Sequence, residues 1–237
     1  MANEISPRVS AVILAGGQSR RMGRDKAFID LGGVPLVARV IERVEPLCTE
    51  IILVTNEAAA YEQFGCRIVA DVYPGKGSLG GIFSGLQAAR EQYALAVACD
   101  MPFLNRGLLS YLISLAPSFE VVIPRAEDQS GKAPRFPDRD GATTRKRAWP
   151  ADRPIAKETN LHPMHAIYSR NCAAAMQTRL RENDLRAIGF HDLVRVRVVE
   201  AAEVDRFDPQ HLSFFNANTP QDLEAARVLF DKATKDV

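Results

Sequence analysis

Short apolar runs without a polar face recur along this chain and alternate with longer stretches of helical spacing. "VSAVILA" (9–15) is β-branched and apolar on both sides, as a strand covered on both faces must be. "IILVT" (51–55), "RIVA" (67–70), "ALAVAC" (94–99) and "EVVIP" (120–124) have the same character. Between them, Leu36, Val37, Val40, Ile41 and Val44 recur at helical spacing, and 78–90 sets Leu79, Ile82, Phe83 and Leu86 on one helical face. A further helix is expected after "DMPF", carrying Leu108, Leu109, Leu112 and Leu115. Strands alternating with helices in this way predict an α/β fold: one doubly wound, mostly parallel, Rossmann-like sheet with helices on both faces.

The regular alternation stops after Pro124. Residues 125–160 hold nine Lys/Arg, six Asp/Glu and four prolines against a single residue from Ile, Leu and Val. Such a stretch buries too little apolar surface to offset the entropy of ordering it, so a flexible insertion is expected there. Beyond it come a strand at "MHAIYS" (164–169), a helix from "RNCAAAMQTRLREN" and an alternating strand at "LVRVRVVE" (193–200). The last helix opens at "NTPQDLEAARVLF", with Thr219 as N-cap, Pro220 in the first turn and Asp222 in the capping-box place. With no internal repeat and no second core, residues 1–237 are expected to form a single domain.

A net charge of +1 with 25% charged residues gives no global field that would recruit nucleic acid or a membrane. No apolar run has signal-peptide or membrane-spanning length, and Cys48, Cys66, Cys99 and Cys172 lack the spacing of a disulfide framework or zinc knuckle. The cytoplasm is the expected location. Electrostatic specialisation must therefore be local, and it is concentrated in "VILAGGQSRRMGRDKAF" (12–28).

Here the first strand stops at Gly16 and Gly17, at the sheet end where ligands of parallel sheets gather. Glycines let backbone N–H groups approach a phosphate, and Arg20, Arg21, Arg24 and Lys26 offer charge-assisted bonds to its oxygens. Neither G-x-G-x-x-G nor the P-loop pattern fits. The plainer alternative is a glycine turn followed by a solvated basic surface.

"LAGGQSRRMGRDK" resembles, nearly position for position, the signature L-A-G-G-x-S-x-R-M-G-x-D-K of the molybdenum cofactor guanylyltransferases, members of the nucleotidyltransferase superfamily. The resemblance implies nucleotide binding by Leu14, Ala15, Gly16, Gly17 and Lys26, with Arg20 and Lys26 catalytic. It favours GTP over CTP, because the related cytidylyltransferases read A-A-G where this chain has Ala15-Gly16-Gly17. "ACDMPF" is similar to the family's C-D-x-P-x and implies that Asp100 binds both metal and nucleotide. A magnesium ion takes one or two carboxylates and completes its shell with phosphate oxygens and water, so one aspartate suffices. Asp71, in "IVADVYPGKGSLGGI", and Asn56 are further nucleotide contacts by the same resemblance, although an aspartate there also caps a loop. Lys76 sits where the family pattern is interrupted and is given no role.

Toward the C-terminus, "FFNANTPQDL" resembles the family's N-x-N-T-P, implying that Asn216 and Asn218 contact metal or substrate; loop hydrogen bonds are their plain alternative. "LHPMHAIY" places His162 and His165 three apart without further ligands nearby, which argues against zinc. The resemblance puts His162 at the substrate side. Its substrates would be GTP and molybdopterin carrying molybdenum, with transient contact to other molybdenum cofactor proteins. Two other readings stay open: a nucleotidyltransferase for CTP or a phosphosugar, and a non-catalytic nucleotide-binding adaptor that holds a partner through "TTRKRAW".

Overall fold

The computed structural model describes residues 7–16, 25–126 and 160–235, and the chain is built around a seven-stranded sheet. Its strands are β1 (Val9–Leu14), β4 (Glu50–Val54), β5 (Arg67–Val69), β6 (Tyr93–Ala98), β7 (Val121–Pro124), β8 (His165–Ser169) and β9 (Val196–Val199). A two-stranded hairpin, β2 (Asp30–Leu31) and β3 (Val34–Pro35), stands apart from it. In space the large sheet runs β5-β4-β1-β6-β8-β7-β9. All neighbouring pairs are parallel except those made by β8, which lies antiparallel to both β6 and β7.

Alternation along each strand divides the core into two layers, because successive side chains point to opposite faces. From β1, Val9, Ala11 and Ile13 enter one layer and Val12 the other; β6 sends Leu95 and Val97 one way and Ala94 and Ala96 the other. The first layer is closed by α1 (Leu36–Val44) through Val37, Val40 and Val44, and by α4 (Arg106–Leu115) through Leu108, Leu109 and Leu112. The second is closed by α3 (Gly77–Ala88) through Leu79, Ile82 and Leu86, and by α5 (Ala173–Arg181) through Met176 and Leu180. Two one-turn helices, α2 (Ala58–Tyr61) and α6 (Ala201–Val204), and the long C-terminal α7 (Pro220–Lys235) complete the fold.

Helix α3 lies against β1 at unusually short range. A Cβ on Gly85 would overlap both Cγ atoms of Val12, and one on Gly81 would come within 2.9 Å of Leu14 Cδ1. Val12 is β-branched, buried and stiff at χ1, so it has little room to give. Gly85→Ala gains about 1 kcal/mol of helix propensity but overpacks the core at a cost of about 1–3 kcal/mol. The clash prevails here because both methyls are struck. Gly85→Ala is expected to lower the urea midpoint of unfolding, and a midpoint at or above wild type would contradict this packing.

A third, smaller cluster joins the hairpin to the C-terminal segment: Leu31, Leu36, Ala217 and Ala226, with Phe103, Phe215 and Phe230 packed against them. Phe230 lies over Gly32, whose φ of +62° and lack of Cβ admit the ring. The Arg39 guanidinium also lies over the Phe230 ring, 4.1 Å from its centroid. After β7, Arg125 bridges Leu161 and the Ala126 N–H donates to the Asn160 carbonyl at 3.2 Å. The chain thus leaves the sheet and rejoins it at one place. The insertion expected at 125–160 is represented only by these ordered ends, since 127–159 lie outside the described residues.

Candidate functional site

Strands β1, β4 and β5 succeed one another toward one edge, whereas β6 pairs on the other side of β1. The carboxyl ends of β1 and β6 therefore flank the point where the sheet reverses its direction of growth, which is where the ligand crevice of an open α/β sheet is expected. Two backbone bonds fix its walls. The Ala15 N–H donates to the Val54 carbonyl at 3.0 Å, and the Cys99 N–H donates to the Leu14 carbonyl at 3.1 Å. Leu14 and Ala15 thus end in the sheet, and Gly16 emerges exposed. Among the described residues, a Cβ on Gly16 would come no closer than 3.7 Å to another atom, the Val54 carbonyl oxygen. Gly17, Arg20, Arg21 and Arg24 lie outside the described residues.

Lys26 returns to the crevice on a 3-10 turn, Lys26–Phe28, capped by Asp25, whose Oδ1 accepts the Ala27 N–H at 3.1 Å. Its ammonium donates to Asn218 Oδ1 at 2.6 Å. Asn218 is held in turn: its N–H donates to the Asn216 carbonyl at 3.0 Å and to Asp222 Oδ2 at 3.0 Å. Between the two asparagines, the Ala217 N–H donates to the Asp100 carbonyl at 3.0 Å. Lys26, Asp100, Asn216 and Asn218 are thereby brought together from three distant parts of the chain. Thr219 caps α7 as expected, with its Oγ1 accepting the Asp222 N–H and Asp222 Oδ2 accepting the Thr219 N–H.

Asp100 is half-buried, and loss of water raises its carboxyl pKa above the ordinary value. The Lys26 ammonium opposes this shift, while the carboxylate of Asp222 reinforces it. Such a carboxylate, poorly hydrated and near a cation, gains from any further positive charge. Among the described residues no three His, Cys, Asp or Glu side chains converge as a metal cage. A single hard oxygen donor still fits a divalent ion whose other ligands come from phosphate and water.

Asn56 and Asp71 meet at the ends of β4 and β5, where Asn56 Oδ1 accepts the Asp71 N–H at 3.0 Å. Asp71 Oδ1 accepts the Tyr73 N–H and the Ser84 hydroxyl, both at 2.9 Å. One oxygen of Asp71 is therefore engaged as a loop cap. Lys76, flanked by Gly75 at φ +79° and Gly77 at φ +66°, donates to Asn183 Oδ1 at 2.6 Å.

His162 and His165 both pack against Phe214, with ring centroids 4.3 Å and 4.8 Å from its own. Burial lowers their pKa values to about 4 and about 3, so both are neutral at pH 7. His162 thus packs on Phe214, two residues before Asn216, and carries no charge there. Sequence reasoning gave Asp25 no role of its own and did not connect it to Tyr61; nothing in the spacing of residues 36 apart signals such a contact.

Residues 11–196 match the family described as the MobA-like NTP transferase domain. The chain belongs to this family. A protein of Pelotomaculum thermopropionicum named "Probable molybdenum cofactor guanylyltransferase" is 30% identical, with 95% of each chain covered. One of the same name from Clostridium perfringens is 31% identical over 91% of this chain and 94% of its own. Among solved structures, molybdopterin-guanine dinucleotide biosynthesis protein A from Archaeoglobus fulgidus superposes with a TM-score of 0.71 at 21% identity, covering 94% of this chain and 100% of that one. The fold is that of a nucleotidyltransferase, and the chain is an enzyme of that class. The match to the MobA-like family takes in Lys26, Asp71, Asp100 and His162 but stops short of Asn216 and Asn218. Membership points to a divalent metal as helper, which the donor set at Asp100 accommodates. No helix among the described residues is long and apolar enough to cross a membrane.

Proposed function

We propose that this chain transfers GMP from GTP to the terminal phosphate of molybdopterin, forming the guanine dinucleotide and releasing pyrophosphate. The observation that carries the reading is the convergence of Lys26, Asn218 and Asp100 at the crevice between β1 and β6. The names of the relatives support guanine as the base and the molybdenum cofactor as the acceptor.

An oxygen of the acceptor phosphate attacks the α-phosphorus of GTP, forming the new P–O bond as the bond to pyrophosphate breaks. A phosphomonoester is already ionised near neutral pH, so the reaction asks for no strong base. Catalysis reduces to alignment and to neutralising charge on the departing group. Leu14, Ala15, Gly16 and Gly17 present backbone to the nucleotide. Lys26 and Arg20 hold the triphosphate, and Asn56 and Asp71 bound the nucleotide at the outer strands. His162, Asn216 and Asn218 border the acceptor side. Asp100 would hold Mg²⁺, which supplies charge compensation for the phosphate oxygens. Both substrates are soluble metabolites, in keeping with a cytoplasmic enzyme that meets other molybdenum cofactor proteins only transiently.

The test is to incubate the purified chain with molybdopterin, magnesium and each of the four nucleoside triphosphates in turn. A guanine dinucleotide formed from GTP alone is the expected product. Incorporation of cytosine would reassign the enzyme to cytidylyl transfer, and no incorporation from any triphosphate would overturn the reading.

A further inference from the structure

Lys26 is one of the two cations ascribed to the triphosphate, yet it lies on a three-residue turn with little regular structure to steady it. What holds that turn is found outside the crevice. Asp25 uses both carboxylate oxygens: Oδ1 accepts the Ala27 N–H at 3.1 Å, and Oδ2 accepts the Tyr61 hydroxyl at 2.6 Å. Tyr61 ends α2, beyond β4, and its side chain is fully buried. Its ring centroid lies 4.9 Å from that of Phe28 and 6.2 Å from that of Phe64, and Phe28 and Phe64 are 5.9 Å apart. The phenol therefore comes from a ring wedged among aromatics, one of which, Phe28, closes the Lys26 turn itself.

Resting on the reading of Lys26 as a triphosphate ligand, we propose that Tyr61 and Asp25 form a positioning pair that fixes the turn from which Lys26 reaches the nucleotide. The chemistry has two parts. A charge-assisted O–H···O⁻ bond is short and strong, so it pins the carboxylate in one direction. Both oxygens being engaged, the carboxylate is also kept from turning onto the ammonium of the next residue, where it would compete with phosphate. Among the described residues Asp25 makes no ion pair with Lys26, whose ammonium is directed to Asn218 instead. Burial and the neighbouring Asp25 raise the Tyr61 pKa, so the phenol remains a donor across the physiological range. A lysine has about 2 kcal/mol of rotamer entropy to lose on binding, and a fixed backbone origin reduces what must be ordered when the anion arrives. Neither residue touches substrate; both act through Lys26.

Tyr61→Phe keeps the wedged ring and deletes only the hydroxyl. It is expected to lower kcat/KM for GTP about tenfold while the folding midpoint stays within a few degrees of wild type. In a Lys26→Ala background the same substitution is expected to change kcat/KM by less than twofold. Equal losses in both backgrounds would mean that Tyr61 serves stability alone and would overturn the proposal. So would a wild-type rate for Tyr61→Phe. Asp25→Asn, at a half-exposed position, leaves one neutral acceptor oxygen for the two donors Ala27 N–H and Tyr61 O–H, and is expected to give a similar loss that does not add to that of Tyr61→Phe. If Lys26→Ala itself bound GTP as wild type does, the reading of Lys26 would fall and this inference with it. A Lys26 effect without any effect of Tyr61→Phe or Asp25→Asn would sink the inference alone.

Discussion

Asp100→Asn is expected to abolish measurable transfer, a loss of about 10²- to 10³-fold or more of the kind seen when one preorganised electrostatic contact is removed. The same variant is expected to fold at least as stably as wild type. Burial raises the Asp100 carboxyl pKa, which means that the folded chain binds this proton more tightly than the unfolded chain. Stability due to this group is then present below the ordinary carboxylate value and is lost as pH rises through the raised one. At pH 7 the ionised side chain is a liability that asparagine removes. The melting temperature of Asp100→Asn should therefore match or exceed that of wild type at pH 7, and the difference should close as pH falls toward the ordinary carboxylate range. Magnesium with GTP should raise the wild-type melting point and leave that of the variant much less changed, since only a state that binds ligand is stabilised by it. A variant that turns over normally in magnesium buffer would remove Asp100 from the chemistry.

Lys26→Ala is expected to weaken GTP binding about 10- to 150-fold, the equivalent of the 1.5–3 kcal/mol that a hydrogen bond to a charged group contributes. The bond from Lys26 to Asn218 is solvent-exposed, so the cost to folding should be small and should come from Asp100, whose half-buried carboxylate loses its opposing cation. The residual affinity should also depend less steeply on salt, one phosphate contact having been lost. Calorimetry with GTP checks both points, and an unchanged dissociation constant would dismiss the assignment.

Much of the architecture could be read from periodicity. Val12 and Ile13 in β1, Ile52 and Leu53 in β4, and Ala96 and Val97 in β6 are buried on opposite faces, as their unbroken apolar runs implied. The ends of three strands were legible because Gly16, Asp71 and Asp100 follow their apolar runs, and in a parallel sheet the ends of β1 and β6 lie on the same edge. The direction of β8 was not legible. An apolar strand has the same pattern whichever way it runs, and its antiparallel course follows from where the chain re-enters the sheet. The β2–β3 hairpin escaped notice because two-residue strands have no period to detect. At the crevice, residue types were legible but side-chain commitments were not. The sequence offered Asp71 as a nucleotide contact or a loop cap, and the structure shows one of its oxygens serving the cap. The link from Tyr61 to Asp25 depends on α2 packing beneath the Lys26 turn, a tertiary fact that no local spacing encodes.

The place where the chain departs after β7 and comes back ahead of β8 has its own significance. Because Arg125 bridges Leu161 and Ala126 is bonded to Asn160, the two ends are clasped within the sheet's own hydrogen-bonding network. The entropic penalty for tethering whatever lies between grows only logarithmically, by about 0.6 kcal/mol for each doubling in length. A doorway of this kind lets the intervening stretch be lengthened, trimmed or exchanged during evolution while the strands on either side, and the catalytic crevice beyond them, keep their register.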